Sequence, residues 1–139
     1  LPGVSHHRHD LAVHYMTAGH LYMHVGQWAE AEDVHRKALA VAGRAMRLVR
    51  KLPSPYRSLA DQVVRSAASV PANLAEGHAR SGGDRAYHWR VAYGSAKEVD
   101  SHLRLLVHAG VVDAEGAASV LRLFDEVRAM TWRLIHPKR

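Results

Sequence analysis

Leu59, Val63, Ala67, Val70 and Leu74 recur at spacings of four, four, three and four, a single apolar stripe that runs straight through Pro71. That period belongs to an α-helix with one buried face. It returns in Trp89, Ala92, Ala96, Val99, Leu103 and Leu106, and again in Ala117, Val120, Phe124, Val127, Thr131 and Leu134. No stretch alternates long enough to make a strand, so the expected fold is all-α. Short links between long amphipathic helices point to an antiparallel up-and-down four-helix bundle with an additional N-terminal helix. The division that follows is a helical extension over residues 1–32 and the bundle over 33–139.

Punctuation sets the boundaries. A front helix is expected over about 9–25, a turn at Val25-Gly26-Gln27, and a second helix from about Trp28 to Lys51, stopped by the two prolines of "LPSP" at 52–55. The third helix starts near Tyr56. "SGGD" at 81–84 separates it from the next, with Asp84 read as a helix cap; Gly110 then marks a C-terminus, Asp113 an N-cap and His136-Pro137 the end. Tyr15, Gly19, Tyr22, Gly26, Trp28, Ala31 and Ala38 fall near the spacing of one tetratricopeptide repeat. A lone repeat has no neighbour to cover its faces, so a plain helical hairpin is the simpler reading.

Pro71 removes one backbone hydrogen bond and crowds the Ala67 carbonyl, at about 3 kcal/mol. A true break would make Asn73 the cap of a helix only a turn or two long, so a kink is expected instead, with Ser66 and Ser69 helping the loosened carbonyls. Beside the apolar stripe lies a polar one: Gln62, Arg65, Ser69, Asn73 and Glu76. Arg90, Gly94, Glu98 and Ser101 share a similar spacing on the following helix, so a cross-helix polar seam is expected. It is either a recognition surface or a structural network in which Arg65 pairs with Glu98 or Glu76.

Enzyme chemistry finds little support. Without cysteine there is no disulfide framework or thiolate nucleophile. Ser95 and Lys97, two residues apart on a helix, point about 200° from one another. Only one Glu-x-x-His, at Glu32 to His35, is present where a di-iron bundle needs two. His20 and His24 have ligand-pair spacing but no third partner in a recognisable pattern, and "SGGDR" lacks the Lys-Ser/Thr of a phosphate-binding loop. No cofactor or metal is expected. The absence of a membrane-length apolar run or a signal peptide points to a soluble cytoplasmic protein with no membrane partner.

Charge points to polyanions. The formal net charge is +6, and it is uneven: residues 1–34 carry −3 and the remainder +9. Arg36, Lys37, Arg44, Arg47, Arg50 and Lys51 run down the first bundle helix, and Arg122, Arg128 and Arg133 decorate the last, making these nine the candidate nucleic-acid contacts. Trp and Phe sit mostly at core phase, so no aromatic platform and no sequence-specific readout are expected. Val41, Leu105 and Val112 are read as spare surface apolar groups favouring association.

"LPSPYRSLADQVVRSAASVPANLAEGHAR" and "YHWRVAYGSAKEVDSHLRLLVHAGVV" together resemble the four-helix-bundle proteins encoded by intervening sequences inside bacterial 23S rRNA genes. The resemblance covers roughly residues 33–136. Its signature falls on Gln62, Arg65, Ser69, Pro71, Asn73, Glu76, Gly77, Gly94, Ser95 and Glu98. His78 and the "SGGDRAYHWR" entry to the helix that follows depart from it, where relatives more often carry aromatics. The resemblance implies a non-enzymatic helical protein that assembles as a ring, commonly a pentamer. A similar bundle is the accessory subunit of diversity-generating retroelement reverse transcriptases. The expected partners are therefore RNA or other nucleic acid, further copies of the chain, and a reverse transcriptase or another protein.

Overall fold

The computed structural model describes residues 18–138, with side chains from residue 26 onward. Among these residues four helices form: α1 (Ala18–Val49), α2 (Arg57–Ala79), α3 (Gly82–His108) and α4 (Ala114–Ile135), with one 3-10 turn at Ser54–Tyr56. No strand occurs among the described residues. α1 packs on α2 and α4, and α3 packs on α2 and α4, so the four contacts close a ring.

The expected turn at Val25-Gly26-Gln27 is absent, because α1 passes through it unbroken. Gly26 is exposed with open space around it, and one exposed glycine costs a helix only about 1 kcal/mol. The residues from Gly19 to Ala38 that mimicked a repeat therefore lie on one continuous helix, and no hairpin forms there. Residues 9–17 of the expected front helix lie outside the described residues. α1 does stop before "LPSP", where the following proline disfavours a helical Leu52, and Leu52 donates its N–H to the Val49 carbonyl at 3.3 Å.

α2 runs through Pro71 without a break. Val63, Ala67 and Val70 before the proline and Leu74 after it are all fully buried on one face, so the same packing spans both sides of the proline. Asn73 is an interior residue and not a cap: its Nδ2 donates to the Ser69 carbonyl at 2.9 Å. The serines expected to do this work are occupied across the helix interface instead.

α3 begins one residue past Ser81, and Asp84 sits inside its first turn, where its charge favours the helix dipole without capping it. The other end closes in a Schellman motif, with Val111 N–H on the Leu106 carbonyl at 3.0 Å and Gly110 N–H on Val107 at 2.9 Å. Gly110 has φ +71, the left-handed conformation this stop requires. Asp113 caps α4, accepting from the Gly116 N–H at 3.1 Å. Every position of the predicted α3 and α4 stripes is buried, with Phe124, Leu74, Leu103, Leu106 and Leu134 the largest enclosed side chains.

Candidate nucleic-acid interface

The polar seam and the basic surface occupy different faces. Along α2 and α3 the partners step in opposite directions: Ser66 Oγ donates to Glu98 Oε2 at 3.0 Å, Ser69 Oγ meets Ser95 Oγ at 2.8 Å, and His88 Nδ1 meets Asn73 Oδ1 at 3.0 Å. An amide oxygen only accepts, so His88 Nδ1 is the donor in that contact. Asn73 Nδ2 also reaches Ser69 Oγ at 3.0 Å, joining four side chains in one chain of hydrogen bonds.

Gly77 packs tightly against the next helix: a Cβ there would lie 2.5 Å from the Trp89 Nε1. Trp89 is buried and donates to the Leu74 carbonyl at 3.4 Å, while Arg85 lies over its ring at 5.5 Å and donates Nε to the Gly77 carbonyl at 3.0 Å. Partial burial lowers the Arg85 pKa from its ordinary value. Glu76 pairs with Arg80 at 2.6 Å, and that hydrogen bond and charge hold its carboxyl below the usual range.

The seam is therefore inward-looking at Ser69, Pro71, Asn73, Gly77 and Ser95, which are buried or half-buried. Arg65 reaches neither Glu98 nor Glu76; it and Gln62 are exposed. Gly94 is exposed with open space around it, so packing does not demand a glycine there. Ser95 and Lys97 point apart, one to Ser69 and the other to the Tyr93 ring.

The nine candidate basic residues fall into two groups. Four are neutralised: Arg36 by Asp33 at 3.2 Å, Lys37 by Glu126 at 3.0 Å, Arg133 by Glu30 at 3.4 Å, and Arg128 by Asp125 and Asp100. Asp100 also holds Arg104 at 2.7 Å and raises its pKa. The other five have no acidic partner among the described residues. Arg44 bonds only the Ser119 hydroxyl, at 2.8 Å, and Arg47, Arg50, Lys51 and Arg122 are exposed.

Two of them, Arg44 and Arg47, line a shallow pocket with Leu48, Gly116 and Val120 where α1 ends and α4 begins; Arg50 and Lys51 follow on the chain, and Arg122 stands two turns further along α4. Arg57, exposed at the first residue of α2, adds a cation one short loop beyond Lys51. It was missed because it stands just outside the run on α1. The α1 cations also oppose the negative end of that helix's dipole, so part of their placement serves the helix itself.

Two surface expectations change. Val41 and Val112 are buried, and the exposed large apolar groups are Trp28, Leu39, Val64, Tyr87, Leu105 and Trp132. Trp132 is 52% exposed and stacks on His136 with ring centroids 3.7 Å apart, so an aromatic platform exists after all. It follows Thr131, the residue that holds core phase. Among the described residues no group of three or more His, Asp or Glu is placed to hold a metal ion, and no helix is long and apolar enough to cross a membrane. The side chains of His20 and His24 lie outside the described residues.

The profile of the 23S rRNA-intervening sequence proteins matches residues 30–133. The fold is similar to the crystal structure of a protein with unknown function from the S23 ribosomal protein family of Bacteroides thetaiotaomicron. The TM-score is 0.70 at 23% identity, over 76% of this chain and 97% of the other. No curated protein matches the sequence.

Proposed function

The chain belongs to the 23S rRNA-intervening sequence protein family, and from that premise we propose a non-enzymatic, cytoplasmic, homo-oligomeric RNA-binding bundle. The observation that carries the proposal is the sorting of its cations: Arg44, Arg47, Arg50, Lys51 and Arg122, with Arg57, form an uncompensated basic end beside a neutralised flank. Forked guanidiniums suit phosphate oxygens, and a surface rich in them suits structured RNA bound through its backbone. The opposed stepping of partners along α1–α4 and α2–α3 supports an antiparallel up-and-down bundle, which brings the end of α1 beside the start of α4.

A filter-binding titration with a structured RNA is the test. Affinity is expected to fall steeply between about 50 and 200 mM salt, as counterion release requires. Binding that is absent, or indifferent to salt, overturns the reading.

A second reading is favoured by Leu39 and Leu105, apolar side chains 53% and 56% exposed. On that reading the bundle is a scaffold or accessory subunit for a nucleic-acid enzyme such as a reverse transcriptase. Recovery of such an enzyme after nuclease treatment supports it. The homo-oligomer, a pentamer by family resemblance, is tested by light scattering, where a monomer at micromolar concentration refutes it.

A further inference from the structure

Away from the basic end, between α3 and α4, lies a groove of about 440 Å³ lined by Tyr93, Lys97, Asp125, Arg128, Trp132 and Arg133. Its size falls within the roughly 300–1,000 Å³ of small-ligand sites. The lining joins two chemistries. Trp132 is half exposed and is backed by His136, whose Nδ1 donates to the Trp132 carbonyl at 3.1 Å, so the ring pair is held in place before any ligand arrives. Tyr93 tilts toward Trp132 at 6.0 Å and lies under the Lys97 ammonium at 5.8 Å.

The cations are not equal. Arg128 is committed to Asp125 and Asp100, and Arg133 reaches Glu30 at the long distance of 3.4 Å. Lys97 has no acidic partner among the described residues. The groove thus offers an exposed π-face with an uncompensated ammonium beside it.

We propose that this groove binds one unpaired nucleotide of single-stranded RNA, its base stacked on Trp132 and its phosphate held by Lys97. Stacking on an aromatic side chain tolerates any base, and the neighbouring cations follow the backbone. The inference rests on RNA as the partner but not on the basic end.

The test uses the whole protein and three probes, a uridine octamer, a duplex RNA and AMP, with tryptophan fluorescence as the readout. The octamer is expected to quench emission, and Trp132→Ala to remove that quench and weaken octamer binding roughly 5- to 100-fold while leaving duplex affinity unchanged. Trp132→Phe retains a ring and is expected to keep most of the affinity. Lys97→Ala lowers the salt slope for the octamer by about 0.7.

Wild-type octamer affinity in Trp132→Ala overturns the proposal. So does AMP binding as tightly as the octamer, which assigns the groove to free nucleotides. Light scattering that shows Trp132→Ala dissociating the assembly, with octamer binding retained, assigns the ring to a subunit contact and also overturns it. A wild-type protein that ignores duplex RNA yet is quenched by the octamer through Trp132 sinks the basic-end reading and leaves this one standing.

Discussion

The α2–α3 seam and the α1–α4 face both carry long rows of polar residues at helical spacing, and they use them in opposite ways. On the seam, short side chains find partners across the interface: Ser66 with Glu98, Ser69 with Ser95, Asn73 with His88. On the α1–α4 face, long cations are neutralised over the outer turns and left unmatched near Arg47 and Arg122. Short buried polar groups fix one register at the cost of tolerance, whereas unmatched surface cations add little to stability and are available to a partner.

The contrast breaks first at Trp89. Trp89→Ala is expected to cost about 3–5 kcal/mol in chemical denaturation, since it empties a buried site and strips the contact with Gly77. Gly77→Ala overfills the same site from the other side, at about 1–3 kcal/mol; an unchanged denaturation midpoint would show that the helices part easily there.

Asn73→Ala leaves Ser69 and His88 short of a partner in a half-buried place and is expected to cost about 1 kcal/mol. On the opposite face, Arg47, Arg50 and Arg122 replaced together by alanine should move stability by less than about 0.5 kcal/mol. The same variant should lower the RNA salt slope by up to about 2.7 on duplex. A large stability loss there would erase the distinction between the two faces.

The smallest effect belongs to Glu76. Its folded pKa is depressed, so its pairing with Arg80 stabilises above the ordinary carboxylate range and is lost as pH falls through the folded value. The pair is solvent-exposed, so Glu76→Gln is expected to leave thermal unfolding at neutral pH nearly unchanged.

Much of this arrangement is legible in single-helix periodicity. The stripes of α3 and α4, the Asp113 cap and the Gly110 stop are local patterns, and local patterns survive packing when the packed face agrees with them. Gly26 misled because a turn signal on an exposed face is overridden by the long helix around it.

Asp84 misled because helix α3 starts two residues before it. Trp132 was readable in principle: Phe124, Val127, Thr131 and Leu134 already occupy the core phase, and the next residue turns about 100° away from it. The neutralising pairs, Lys37 with Glu126 and Glu30 with Arg133, join opposite ends of the chain, and no pattern within one helix encodes them.

That last pairing has a consequence for how the molecule is made. Three of the four helix contacts join neighbours in sequence, but α1 meets α4 across 103 residues at Glu30 and Arg133, so this closure carries the largest loop entropy in the fold. The basic end is assembled from the C-terminal turns of α1 and the first turns of α4. A nascent or partly unfolded chain holds its arginines but not their arrangement, which makes the basic end a product of completed folding.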